Sequence, residues 1–463
     1  MKYIYRQRLV KYLNGILFLV MVSALASCTR FLEIEAPETE LTDHAVFENE
    51  AALEAAAAFI FQSISLNQSH FASGAGNSIT QMCAIAADEM EYIGTAQSQI
   101  EIASNRISPG NGYIRSFWTT GYQCIYYANS ILDGLTRSKN ISEAVRNRLK
   151  GEALFMRAFS HFYLLNCFGD IPLVTTANYQ SNRSVSRTPV SSVYEAIQDD
   201  LAKAELLLPA DFSAYNGERV RPNRWAAKVL IARVALFTGS WQKAITYSTD
   251  VINQTELFEL LGSEHIGEVF SANSREAIWQ LLPLYPTFST YEGRNSVTSQ
   301  LRLSERFIAS FEDSDLRAAH WFNQGVFYKY KEGNRPSSNE PHEEYSMILR
   351  LAEAYLIRAE ARLRLAEPDF DGARGDINVI RQRAGLDSVT AMDLDTLFAC
   401  IESERSHEFF FEWGHRWFDL KRWDRMDSIL TEIKPNWIST AAFWPIPEQE
   451  ILTNAMLTQN TGY

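Results

Sequence analysis

Apolar positions recur at helical spacing along most of the chain. "FENEAALEAAAAFIFQSI" (47–64) is Ala-rich and amphipathic, and "FWTTGYQCIYYANSILDGL" (117–135) predicts a second helix stopped at Asp133-Gly134. "SEAVRNRLKGEALFMRAFSHFYLLNCFG" (142–169) opens on Ser142, with Glu143 placed to favour the N-terminal end of the helix dipole. From Ala153 to Cys167 it is apolar on nearly every side, interrupted only by Arg157, His161 and Asn166, which predicts a buried helix. Gly169-Asp170-Ile171-Pro172 ends it, because Pro172 cannot continue a helix. After a polar linker, "PVSSVYEAIQDDLAKAELLLP" (189–209) is helical, with Pro189 in its first turn and Pro209 closing it.

Two stretches read as helix hairpins. In "NRWAAKVLIARVALFTGSWQKAITYSTDVINQ" (223–254) a helix, a Gly239-Ser240 break and a second helix follow one another. Small residues at Ala232 and Ala244 and the aromatic Trp241 at the turn give it the spacing of a tetratricopeptide-type unit. In "RLAEAYLIRAEARLRLAEPDFDGARGDINVIRQRAG" (350–385) the residues Leu351, Tyr355, Ala359, Leu363 and Ala366 continue a stripe that begins at Ile348. Asp369 and Asp371 mark the turn, and Ala373, Ile377 and Ile380 face inward on the returning helix. Looser pairs, 142–167 with 189–208 and the helices within 45–135, are expected to complete a short superhelix. Residues 262–345 differ: a short apolar strand in "EAIWQLLPLYPTFSTYEGRNSVTSQ" is followed by loops, and Trp321, Val326, Tyr328 and Tyr330 alternate as in a hairpin.

The N-terminus has another logic. Lys2, Arg6, Arg8 and Lys11 precede the apolar run "GILFLVMVSALAS" (15–27), which is short for a membrane span and has the layout of a secretory leader. Small Ala26 and Ser27 lead directly into Cys28, as in a bacterial lipobox, where the thiol is acylated and becomes the new N-terminus. Acyl chains contribute about 0.8 kcal/mol per buried CH₂, so two or three of them hold a soluble body to a membrane. The polar stretch that follows, "TRFLEIEAPETELTDH", reads as a tether.

Composition narrows the function. Net charge is −13, and about −17 without the basic leader, which argues against nucleic acid as a partner. A hydrophobic content of 46% fits a folded body rather than a disordered chain. Beyond Cys28 the cysteines are Cys83, Cys124, Cys167 and Cys400, with no CxxC, so a zinc site is not expected; Cys124 and Cys167 read as buried thiols. Ser240-Trp-Gln-Lys243 spells SxxK but falls on a helix turn, and no GxSxG, GxGxxG or P-loop is present. Asp88, Glu89 and Glu91 are carboxylates without a defined separation across a cleft. "EDSD" at 312–315 lacks a full calcium-loop pattern, so calcium is left open; no cofactor is expected beyond the lipid on Cys28.

Six stretches, in order, together resemble one family: "GEALFMRAFSHFYLLNCFGDIPLV", "AAKVLIARVALFTGSWQKAITY", "RLAEAYLIRAEARL…INVIRQRAGL", "IESERSHEFFFEWGHRWFDLKRW", "WPIPEQEI" and the terminal "QNTGY". The chain is similar to the SusD/RagB lipoproteins of Bacteroidota. That resemblance implies a mainly α fold, a tetratricopeptide-like helix-pair superhelix of four pairs supporting a loop-rich part with small strands. It implies a lipid anchor on the outer face of the outer membrane, capture of oligosaccharide or polysaccharide, a SusC-like TonB-dependent transporter as partner, and no catalysis. The expected organisation is leader 1–27, N-terminal helical region 28–215, helix hairpin 216–261 and C-terminal region 262–463, as one structural unit from 28. Peptide binding in the manner of RagB, a lipid-anchored glycoside hydrolase and a pure assembly scaffold are the rival readings.

Under that reading, Glu404, Glu408 and Glu412 lie four apart on a helix, and Arg405, His415, Arg416, Asp419 and Arg422 pair with them or with neighbouring helices. An acid/base or metal cluster of His407, Glu408, His415 and Asp419 is disfavoured, since adjacent helical residues project apart and no HExxH exists. Sugars offer C–H faces to aromatic rings and hydroxyls to polar side chains. Trp225, Trp241, Trp279, Trp413, Trp417, Trp423 and Trp444 fall in scaffold stretches and are expected to be core. Ligand contact is expected instead from loops: Tyr285, Phe288, Tyr291, Arg294 and Asn295; Asp88 and Tyr92, with Glu91; and Asn77, with His70 and Phe71.

Overall fold

The computed structural model describes residues 50–65, 71, 76–298, 300–335 and 340–463. The leader, Cys28, the tether and His70 lie outside the described residues.

Eight helices follow one another in space as they do in sequence: Gly112–Arg137, Glu143–Phe168, Val190–Leu207, Arg224–Phe237, Trp241–Ile252, Leu351–Leu363, Phe370–Arg383 and Leu394–Phe409. Each packs on the next, so the set forms a helical-repeat stack, with Glu50–Ser63 laid against its first two members. This is the mainly α, helix-pair architecture that the periodicity implies.

The Glu143–Phe168 helix shows why the stack holds. Ser142 caps it by accepting from the Val145 amide, and Gly169 ends it at φ +73°, a conformation that favours glycine. Between Gly151 and Phe168 every residue except Arg157 is buried. The polar interruptions are ties to neighbouring segments. Arg157 grips Asp200 through Nε (2.7 Å) and Nη2 (2.6 Å) and reaches Asn129 at 2.7 Å. Asn166 donates to Phe162 O and accepts from the Tyr194 hydroxyl at 3.0 Å. His161 Nε2 accepts from the Val174 amide, and burial together with Arg157 pushes its pKa down to about 3, so the ring is neutral.

The hairpin at 224–252 turns at Gly239, and Ala232, Ala235 and Ala244 form an apolar seam with Ile357 and Ala361 of the second hairpin. Small side chains there let helices from distant parts of the sequence approach closely. An aromatic cluster lies deeper. Phe159 packs edge-on to Tyr163 (centroids 4.8 Å), Trp279 (5.2 Å) and Trp413 (5.4 Å), joining the stack to the C-terminal segments.

The strands are short. Ala277–Leu281 pairs antiparallel with Ser346–Arg350, Met90–Tyr92 with Leu301–Leu303, and Phe322–Asn323 with Val326–Phe327. The first pair closes the excursion between the two helix hairpins at its base.

Several local expectations are corrected. The 112–137 helix runs through Asp133-Gly134 to Arg137, because Gly134 is buried against its neighbours and its carbonyl is satisfied by the Ser138 amide and hydroxyl. Pro189 is the cap rather than a first-turn residue, and Val190 begins the helix. Ile348 lies on a strand, because pairing with 277–281 outweighs its helical spacing, and Ala366 is exposed beyond the helix end at Leu363. Within 262–345, Tyr291–Thr298 is helical rather than loop.

Candidate functional site

Two stretches about two hundred residues apart are joined by the Met90–Tyr92 and Leu301–Leu303 ladder, in the register Met90↔Leu303, Glu91↔Arg302 and Tyr92↔Leu301. The ladder places Tyr92 opposite the segment that follows the Tyr291–Thr298 helix. Tyr92 is half-buried, and its hydroxyl accepts from the Ala96 amide at 3.0 Å.

Just ahead of that helix, three rings form one cluster. Tyr285 stacks on Phe288 with centroids 4.7 Å apart and planes 13° from parallel, and both meet Tyr291 edge-on at 5.4 and 4.9 Å. The Arg294 guanidinium sits 4.8 Å from the Phe288 centroid. Phe288 is 4% exposed and serves as the pedestal, whereas Tyr285 and Tyr291 are half-buried and Arg294 is exposed. Burial and a hydrogen bond with Tyr285 push the Tyr291 phenol up, so it stays protonated. The backbone beneath is fixed: Ser289 Oγ meets His342 Nδ1 at 2.9 Å and also Glu332, and Thr290 Oγ1 accepts from the Gly293 amide at 2.9 Å. The crevice inside the cluster is about 20 Å³, room for a water at most. What the cluster leaves open to solvent is therefore its outer ring faces and the Arg294 head.

The other sequence candidates have different settings. Asn77 is 8% exposed and donates to Ser116 Oγ at 3.2 Å. Asp88 accepts from Arg416 Nε (2.8 Å) and Nη2 (2.6 Å); burial works to raise its pKa, and Arg416 overcomes that and holds it low. Asn295 lies on the Tyr291–Thr298 helix, with its side chain outside the described set. The structure thus brings together Tyr285, Phe288, Tyr291 and Arg294, with Tyr92 on the adjoining ladder, and engages Asn77 and Asp88 elsewhere.

Asp88 lines a cavity of about 270 Å³ with Arg306, His407 and Arg416. Its charged groups and His407 are already matched: Arg306 with Glu432 at 3.0 Å, Arg425 with Glu402 at 3.1 Å and His407 with Ser310 at 2.9 Å. Burial and nearby arginines push His407 down to about 3.

The 404–422 stretch forms a buried ion network. Arg350 binds Glu276 (3.1 Å), Glu412 (2.9 Å) and Glu408, and Arg383 binds Glu276 (2.7 Å) and Glu408. Lys329 donates to Glu412 at 2.5 Å and to the carbonyls of Glu408 and Phe410, each at 2.9 Å. Arg405 pairs with Asp419 at 2.7 Å, and His415 stacks on Phe409 at 4.6 Å. The carboxylates of this network and His415 are bound into the scaffold, while His407 borders the cavity beside Asp88. Among the described residues no group of three or more His, Cys, Asp or Glu could hold a metal ion.

Periodicity missed a third feature. A groove of about 610 Å³ runs beside the Gly112–Arg137 helix, with Tyr122 and Tyr126 one turn apart and Tyr179 also in its lining. Tyr126 is 51% and Tyr179 73% exposed. The signal was available: the buried face of that helix is occupied by Phe117, Gly121, Cys124, Ile125 and Ala128, which leaves Tyr126 facing outward.

Comparison with known proteins follows the same lines. Residues 31–236 match a family profile described as starch-binding and associating with the outer membrane, and residues 284–463 match the SusD family profile. SusD-like protein P2 of Formosa agariphila is 26% identical, covering 97% of this chain and 99% of its own. The starch-binding protein SusD of Bacteroides thetaiotaomicron is 22% identical over 74% of this chain and 77% of its own. A solved laminarin-binding SusD-like protein superposes with a TM-score of 0.74 at 22% identity, covering 90% of this chain and all of its own.

Proposed function

The chain belongs to the SusD/RagB family, and on that premise we propose that it captures oligosaccharide or polysaccharide at the cell surface and delivers it to a SusC-like TonB-dependent transporter. The observation that carries this reading is the pair of half-exposed tyrosines, Tyr285 and Tyr291, raised on Phe288 beside Arg294. Sugar C–H faces stack on such rings, and the guanidinium and phenol hydroxyls serve ring oxygens and hydroxyl groups. A shallow contact of this kind suits capture followed by closure over a transporter, because the ligand must afterwards be released. On this reading the protein acts by binding rather than by bond cleavage, and the pairing of Glu408 and Asp419 with arginines supports it. Cys28, acylated, moors the body to the outer membrane.

Titration calorimetry against a glycan panel, with a peptide pool in parallel, tests the ligand class. Wild type is expected to bind at least one glycan, and Tyr291→Ala to weaken it roughly threefold to tenfold. Binding of peptides alone, or release of new reducing ends from a polysaccharide, overturns the reading. Cys28→Ser is expected to move the protein from the membrane fraction to the soluble one.

A further inference from the structure

The groove beside the Gly112–Arg137 helix has no part in the aromatic cluster above, yet it is built with comparable care. Its floor is Trp118, 3% exposed, in contact with Tyr122 at a centroid distance of 4.9 Å. The Tyr122 hydroxyl donates to Pro172 O at 2.9 Å, which fixes the ring as a wall. One turn on, Tyr126 rises out of the groove, since residues four apart share a helix face about 6 Å apart along the axis. Tyr179, at the start of the Tyr179–Asn182 turn, brings a second exposed ring to the lining. That turn is braced by Asn178, which caps it, and by Asn182, which donates to Thr176 O at 2.7 Å. The third side comes from the C-terminal part of the chain, where Asn454 donates to Val185 O at 2.9 Å.

We propose that this groove is a second glycan-binding site, taking a short stretch of neutral oligosaccharide between Tyr126 and Tyr179. The proposal rests on the glycan reading above and adds a place to it. Three features select the occupant. The exposed rings in the lining, Tyr126 and Tyr179, are phenols with polar tips, a surface that suits an uncharged ligand with both C–H faces and hydroxyls. The two charged side chains in the lining, Arg183 and Glu450, are of opposite sign, so the groove selects neither anion nor cation, although the chain is strongly acidic. Gln123, exposed at the edge, supplies an amide donor and acceptor for hydroxyl groups. The volume, about 610 Å³, lies in the range of sites for small ligands.

Two sites on one body raise the residence of a polymeric ligand, because the second contact is intramolecular once the first has formed. The full chain in detergent is titrated with neutral gluco-oligosaccharides of increasing length, as wild type, as Tyr126→Ala/Tyr179→Ala and as Tyr291→Ala. Tyr126 and Tyr179 are both exposed, so the double variant is expected to melt with the wild type. It is expected to bind long oligosaccharides roughly threefold to tenfold more weakly, or with a lower stoichiometry. Unchanged affinity and stoichiometry in the double variant, with wild type binding, overturns the groove site alone. Peptide binding that is lost in the double variant overturns its assignment to glycan. Failure of wild type to bind any glycan on the full panel overturns the glycan reading itself and the groove site with it.

Discussion

Arg233 and Glu353, 120 residues apart, meet as a planar, doubly bonded ion pair, Nε to Oε1 at 2.5 Å and Nη2 to Oε2 at 2.7 Å. A third bond runs from Nη1 to the Tyr163 hydroxyl at 2.8 Å, and both side chains are almost wholly buried, at 3% and 1% exposure. The pair pins the first helix hairpin to the second across the core. Glu353→Ala is expected to cost about 3–5 kcal/mol, because it leaves a guanidinium buried without its counter-charge. Arg233→Met/Glu353→Leu, which removes both charges and keeps volume, is expected to unfold at higher urea than the single variant.

Asp88 separates structural from ligand-binding roles. Asp88→Asn retains the shape and removes the charge opposite Arg416, and is expected to lower stability by about 1–3 kcal/mol while glycan affinity stays unchanged. Its carboxyl is held below the ordinary value in the folded state, so its contribution is present above the unfolded pKa and fades as pH falls through the folded one. The melting difference between wild type and Asp88→Asn should therefore be full at pH 7 and shrink toward pH 3.

Glu292, next to Tyr291, runs the other way. Burial, aided by the charge of Glu412, pushes its pKa up to about 8, and its Oε2 has no hydrogen-bond partner among the described residues. The native state thus holds a proton that the unfolded chain releases near the ordinary carboxylate range. This term is full below pH 4.5 and is lost progressively as pH rises to about 8. Glu292→Gln should remove that part of the slope, so thermal melting of the variant gains on wild type between pH 5 and 8.

The thiols give a test of packing. Cys83, Cys124 and Cys167 are buried, Cys400 is half-buried, and all four are free. Burial pushes Cys124 up to about 12. Native protein is expected to react with a thiol reagent at Cys400 first, and at the other three only in denaturant, read by peptide mass analysis. Rapid native labelling at Cys124 contradicts the fold around it.

What could be read from the sequence follows the range of the signals. Ser142, Gly169 and Gly239 act on neighbours a few residues away, and the helices they delimit appear as expected. The ring trio was legible because Tyr285, Phe288 and Tyr291 lie close along the chain. Ile348 misled because its strand partner lies near Gln280, far outside any helical window. Asp88 was read as free for ligand because Arg416 stands 328 residues away. Tyr126 was passed over because periodicity says which side of a helix is apolar, not whether a neighbour covers the remainder.

The strand pair Ala277–Leu281 and Ser346–Arg350 holds the two ends of the 282–345 excursion side by side, while Trp241–Ile252 packs directly on Leu351–Leu363. The segment that carries the ring trio is nonetheless tied into the stack, since Arg317 pairs with Glu404 at 2.8 Å and Lys329 with Glu412 at 2.5 Å. The ring trio takes no part in those ion pairs, so the face it offers can be re-lettered while the bolts that seat the segment stay in place.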